Sequence, residues 1–136
     1  MSSESAFFKG LRLLVVDDDP DTRTLLTFLF ELDGAEIITA ASAGEAMEIM
    51  SFFKPDILII DICLPDEDGY SLLLKARNLE SGRERRIPAI AVTASASEEG
   101  HIRALLTGFQ IYLSKPINLD ELASVVADLA GLKQYA

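Results

Sequence analysis

A single cysteine, Cys63, stands in a chain of 136 residues, so no disulfide can form within it and a small cross-linked secreted scaffold is excluded. Basic residues are also scarce: 12 Lys and Arg face 22 Asp and Glu, for a net charge of −10. Proteins grip a phosphate backbone with Lys and Arg, so direct binding to nucleic acid is not expected here. The only basic knot, "GRERR" (Arg83, Arg85, Arg86), reads as a solvated loop. No apolar run approaches the roughly 20 residues of a membrane span. No basic and apolar signal segment opens the chain, and no repeat or low-complexity linker divides it. These absences point to a cytoplasmic domain with no membrane insertion.

What remains is an ordinary globular composition, 49% apolar and 25% charged, in a length that suits one core. Residues 1–10 read as a flexible N-terminal lead, 11–131 as a single domain and 132–136 as a C-terminal tail. Within the domain, apolar runs of strand length alternate with segments of helical period, the pattern of βα units on a parallel sheet. Leu11 to Val16, apolar apart from Arg12, suits a strand buried on both faces. Asp19 before Pro20 then starts a helix with Leu25, Leu26, Leu29 and Leu32 at helical spacing, and Gly34 ends it.

The alternation continues to the end of the domain. Ala35 to Ala40 reads as a second strand, and Ser42 with Glu45 forms a capping box for a helix burying Ala46, Ile49, Met50 and Phe53 before Pro55. Asp56 to Ile60 is a third strand, reaching Asp61, and the loop "CLPDEDG" leads to a helix carrying Leu72, Leu73, Ala76 and Leu79. Ile87 to Val92 is a fourth strand ending at Thr93. Ser95 with Glu98, or Ser97 alone, starts a fourth helix that is weakened by Gly100, packs through Ile102, Leu105 and Leu106, and stops at Gly108. Phe109 to Leu113 is the fifth strand, and Asn118 with Glu121 caps a last helix burying Leu122, Val125, Val126 and Leu129. Five βα units result.

Ligands of open α/β sheets bind outside the carboxyl ends of the strands. In this chain those ends carry Asp17 and Asp18 after strand one, Asp61 at strand three, Thr93 at strand four and Lys115 just after strand five. Any one of these acids alone is commonly a helix cap, and Asp19 and Asp21 are assigned mainly to that work. Three carboxylates on one edge repel one another and ask for a cation. Hard oxygen ligands in small number suit Mg²⁺, which keeps waters and shares its sphere with phosphate oxygens. Lys115 and the Thr93 hydroxyl then suit an oxyanion.

With those residues placed, the chain resembles the receiver domain of two-component response regulators, the match spanning roughly residues 11 to 131. "VVDDDP", "ILIIDICLPDEDG", "IPAIAVTA" and "YLSKP" occur in that family's order and approximate spacing. The resemblance implies a flavodoxin-like three-layer (βα)5 sandwich whose parallel five-stranded sheet has the order 2-1-3-4-5. It makes Asp61 the phosphoacceptor, with Asp17, Asp18, Asp61 and the Cys63 backbone carbonyl holding Mg²⁺, Asp18 the more direct ligand of the acidic pair. Thr93 and Lys115 would contact the phosphoryl oxygens. Thr93 and Tyr112 would form the switch, although Tyr112 reads equally as an amphipathic strand residue with its hydroxyl at the surface. Small Ala94 would leave the site open, and a cis Lys115–Pro116 bond becomes more expected than its base rate.

Cys63 reads as packing rather than as a redox sensor, and His101 as a surface residue rather than a phosphodonor. The implied donor is a histidine kinase or a histidine phosphotransfer domain. Readout is expected by a downstream protein partner on the surface of helix four, strand five and helix five, since only "LKQYA" follows Gly131. Two other functions are weighed. A phosphorylation-independent pseudo-receiver would usually lack an acid, the Thr or the Lys, and none is missing. A Mg²⁺ phosphatase of the haloacid-dehalogenase type needs a second Asp two residues after the nucleophile, where this chain has Cys63. A switch rather than a turnover enzyme is therefore expected, either single-domain or the C-terminal receiver of a hybrid kinase.

Overall fold

The computed structural model describes residues 6–80 and 86–132. Strands β1 (Arg12–Val16), β2 (Glu36–Ala40), β3 (Ile57–Asp61), β4 (Ala89–Thr93) and β5 (Ile111–Ser114) alternate with helices α1 (Pro20–Leu32), α2 (Ala43–Met50), α3 (Gly69–Leu79), α4 (Glu98–Thr107) and α5 (Leu119–Leu129). The strands form one five-stranded parallel sheet in the order β2-β1-β3-β4-β5, so the flavodoxin-like (βα)5 architecture holds. Register pairs Val16 with both Ala40 and Ile60, Asp61 with Val92, and Thr93 with Ser114. The carboxyl ends of the strands are thereby brought level along one edge.

Alternation within each strand divides the core into two layers. Leu13, Val15, Ile57, Ile59, Ile90 and Val92 face α1 and α5 through Leu26, Phe30, Leu122 and Val126. Leu14, Val16, Leu58, Ile60, Ala89 and Ala91 face α2, α3 and α4 through Ala46, Met50, Leu72, Ala76 and Ala104. The starts of the helices follow from local chemistry: Asp19, Ser42, Asp68, Ser97 and Asn118 each accept a backbone N–H of the first turn. Ser97 alone, not Ser95 with Glu98, caps α4.

Four expectations are corrected by the packing. Ile102, Leu105 and Leu106 of α4 are 54%, 50% and 83% exposed, and Ala104 is its buried residue. The helix turns inward the face of Gly100 and Ala104, because the Tyr112 hydroxyl stands where a side chain on residue 100 would go. In α1, Leu25 and Leu32 are exposed and Phe30 joins Leu26 in the core. Leu79 at the end of α3 is exposed as well. Finally, residues 6–10 are not a loose lead: Phe8 is 1% exposed, donates its N–H to the Asp33 carbonyl at 2.8 Å and packs on Phe30. It joins the core layer under α1 and α5. Arg83 and Arg85, and all but Leu132 of the tail, lie outside the described residues.

Candidate functional site

The site is built where β1, β3, β4 and β5 end. The β1 run carries Asp17 beyond the last apolar residue, and its carboxylate is 3% exposed. One of its oxygens accepts the Asp19 N–H at 2.9 Å and the other faces the Lys115 ammonium at 3.0 Å. Asp61 ends β3, is 5% exposed, and is held in the same way. Its Oδ1 accepts the Cys63 N–H at 2.9 Å and its Oδ2 accepts from Lys115 Nζ at 3.0 Å. One cation thus bridges two buried acids that stand 44 residues apart in the chain.

Asp18 is exposed beside them. One oxygen from each of Asp17, Asp18 and Asp61 lies within 4.8 Å of the others, an all-oxygen donor set that fits a hard divalent cation. Burial raises the Asp61 pKa above its ordinary value, against the lowering effects of the Cys63 N–H and Lys115. For Lys115, burial works against the charge, but hydrogen bonds to Asp61 and Asp17 outweigh it and raise its pKa. The ammonium is therefore held in its charged form, and the buried carboxylate is left more basic than one in water.

Thr93 is buried at the end of β4, its hydroxyl oxygen accepting the Ser95 N–H at 3.1 Å. Lys115 donates its own N–H to the Thr93 carbonyl at 2.8 Å, and Lys115–Pro116 is cis. The hydrogen bond to Thr93 joins the β4 and β5 ends beside the acids. Cys63 is exposed, so its side chain does not serve the packing expected of it, and Ala94 is exposed as well. A hollow of about 540 Å³ lined by Asp19, Leu25, Lys115 and Ile117 opens beside the site between α1 and the segment joining β5 to α5. That hollow is where the exposed Leu25 lies.

Tyr112 sits apart from the acids and is half-buried on β5. Its ring stacks on His101 with centroids 5.2 Å apart, and its hydroxyl accepts the Ser97 N–H at 3.2 Å. His101 is exposed on α4, as expected of a surface residue. Three contributors escaped the reading of the sequence. Arg23 reaches from α1 to donate to the Asp17 carbonyl at 2.8 Å. Asp66 crosses to the start of α2, and Arg103 lies over the Tyr70 ring at 4.1 Å. Nothing local marks such residues, because each partner is distant in sequence or a backbone atom.

Known proteins share this sequence pattern and fold. The family model "Response regulator receiver domain" matches residues 13–127. A Leptolyngbya boryana protein named "Uncharacterized 14.6 kDa protein in sodA1 3'region" is 44% identical over 84% of this chain and 86% of its own length. Response regulator Rre1 of Synechocystis is 34% identical over 91% of this chain, which spans only 53% of that longer protein. Among solved structures, a CheY-like receiver domain protein from Methanospirillum hungatei superposes with a TM-score of 0.81 at 32% identity, covering 89% of this chain and 94% of the other. The receiver domain of Saccharomyces cerevisiae Ssk1, crystallised with the histidine phosphotransfer protein Ypd1, gives a TM-score of 0.79 at 25% identity and 89% coverage of both chains. With its sheet order, its acidic strand ends and a family match over most of its length, the chain belongs to the response regulator receiver domains of two-component signalling.

Proposed function

We propose that this receiver accepts a phosphoryl group on Asp61 from a phosphohistidine donor, in a Mg²⁺-dependent reaction, and signals through altered protein contacts. The observation that carries this function is the convergence of Asp17, Asp18 and Asp61 oxygens within 4.8 Å, with Lys115 at 3.0 Å from two of the three acids. Asp17, Asp18, Asp61 and the Cys63 carbonyl would hold Mg²⁺, which when bound would neutralise phosphoryl charge. The protein's own contribution is position. The Cys63 N–H on one Asp61 oxygen and Lys115 on the other fix the plane of the carboxylate, so little orientational freedom remains to be lost at attack.

A carboxylate oxygen of Asp61 forms the new bond to phosphorus while the donor's bond from imidazole nitrogen to phosphorus breaks and the imidazole leaves with that electron pair. Desolvation makes Asp61 more basic and hence the better nucleophile. Lys115 then contacts the transferred phosphoryl oxygens, and the Thr93 hydroxyl turns from Ser95 to donate to them. That movement clears space at the β4 end into which the Tyr112 ring can turn. The changed surface of α4, β5 and α5 is the readout, and the exposed Ile102, Leu105 and Leu106 give it apolar contact area. The donor is a histidine kinase or a histidine phosphotransfer domain, by analogy with the complexed Ssk1 receiver.

The constitutive binding-module alternative is not favoured, since every residue of the acid, Thr and Lys set is present. The test is intact mass after incubation with acetyl phosphate, with and without Mg²⁺, and with Asp61→Asn as control. One added phosphoryl group that requires both Mg²⁺ and Asp61 is expected. No gain, from acetyl phosphate or from a phosphorylated phosphotransfer domain, overturns the proposal.

A further inference from the structure

The loop between β3 and α3 carries Cys63, and its middle is fastened to a distant element. Asp66 reaches the start of α2, its Oδ1 accepting the Ala43 N–H at 3.0 Å and its Oδ2 the Gly44 N–H at 2.8 Å. Ser42 accepts the Glu45 N–H, so the three N–H groups that open α2 are all satisfied, two of them by Asp66. The same carboxylate accepts the Glu67 N–H within its own loop at 3.0 Å. The bonds from Gly44 and Ala43 lower the Asp66 pKa, which keeps the tie ionised at neutral pH.

This fastening bears on a single peptide group. On the N-terminal side, Cys63 is anchored by its N–H on Asp61. On the C-terminal side, Leu64 packs partly buried against the core layer under α2, α3 and α4, and Asp66 is the next anchor held by tertiary hydrogen bonds, with Pro65 between. Proline fixes its own φ and confines the residue before it to extended conformations. A chain so stiff transmits the position of Asp66 to the direction of the Cys63 carbonyl. We propose that Asp66 is a positioning residue for the metal site, holding the Cys63 carbonyl in its ligating direction through the first turn of α2. This rests on the Mg²⁺ reading given above.

The competing role for Asp66 is merely to cap α2, and Ser42 supplies the control because it caps the same turn without touching the loop. Mg²⁺ is titrated into the full chain and into Asp66→Ala, Asp66→Asn and Ser42→Ala, following the backbone amides of Cys63 and Leu64 by NMR, with the melting temperature of each recorded without metal. Asp66→Ala is expected to raise the half-saturating Mg²⁺ concentration about tenfold, the usual scale for losing a group that orients a ligand. Asp66→Asn keeps one acceptor oxygen and falls between, and it serves by itself if the alanine variant does not fold. Ser42→Ala lowers the melting temperature and leaves half-saturation unchanged. A rise below about twofold in both Asp66 variants, or an equal rise in Ser42→Ala, overturns the positioning proposal alone. A wild-type chain that shows no Mg²⁺ response overturns the metal reading, and this proposal falls with it.

Discussion

Gly100 and Tyr112 occupy one another's space: a Cβ built on residue 100 would stand 2.5 Å from the Tyr112 hydroxyl. That hydroxyl accepts the Ser97 N–H, and the ring above it stacks on His101. Glycine in the first turn of α4 is therefore what admits the outward Tyr112 ring. Replacing a helical glycine by alanine ordinarily gains about 1 kcal/mol. Gly100→Ala is expected to forfeit that gain because it displaces Tyr112, whereas in a Tyr112→Phe background, with the crowded oxygen gone, the gain returns. Urea denaturation of the four proteins measures it, and a coupling of about 1 kcal/mol is anticipated. Additive effects would mean that the ring does not answer to residue 100.

Asp61 links charge to stability. Its folded pKa is raised, so the folded protein binds this proton more tightly than the unfolded chain does. The resulting stability is fully present below the ordinary value of 3.8 and is lost as pH rises through the folded pKa. At pH 7 the ionised carboxylate is then a net cost. Asp61→Asn should melt at a higher temperature than the wild type in Mg²⁺-free buffer at pH 7, with the difference closing as pH falls toward 3.8. A variant that is less stable at pH 7 would show that the Lys115 contact outweighs burial.

Arg77 and Glu80 form a buried ion pair away from the site, with side chains 9% and 6% exposed. Arg77 also donates to the carbonyls of Ile87 at 2.6 Å and Gly108 at 3.0 Å, tying the end of α3 to the entry of β4 and the end of α4. Glu80→Ala strands a buried guanidinium and is expected to cost about 3 kcal/mol by urea denaturation. Arg77→Leu with Glu80→Leu should cost less, since no charge stays buried. A larger loss in the double variant would show that the two backbone carbonyls, not the carboxylate, are the main partners.

Phe8→Ala probes the segment before β1. With its ring buried against Phe30, the truncation should cost about 3 kcal/mol, as for other large core deletions. Equilibrium unfolding measures it, and a loss below about 0.5 kcal/mol, the range of surface substitutions, would return residues 6–10 to the status of a loose lead.

Much of this was legible because it is local. Strand runs such as "ILIID" and caps such as Ser42 and Asn118 act within a few residues, and the structure moves the strand boundaries by only a residue or two, whereas α2 ends at Met50 and leaves Phe53, expected within that helix, in the segment after it. The strand-end acids were legible as well, since a parallel sheet brings its carboxyl ends to one edge regardless of loop detail. The inward face of α4 was not. Its leucines have the spacing of a core face, but Tyr112, supplied by β5, crowds the position of Gly100, and the buried face of the helix is the one that carries Ala104.

The amino-acid order by itself determined the five βα units, the starts of α1, α2 and α5 and the candidate set Asp17, Asp18, Asp61, Thr93 and Lys115, because periodicity and capping depend on near neighbours. Only the tertiary structure decided that Lys115 bridges Asp17 and Asp61, that Asp66 reaches Ala43 and Gly44, and that Phe8 belongs to the core. Lys115 and Asp61 are 54 positions apart, Asp66 and Ala43 are 23 apart, and no local pattern encodes such pairs. Their contacts arise when the sheet closes and buried polar groups take the nearest partner able to satisfy them.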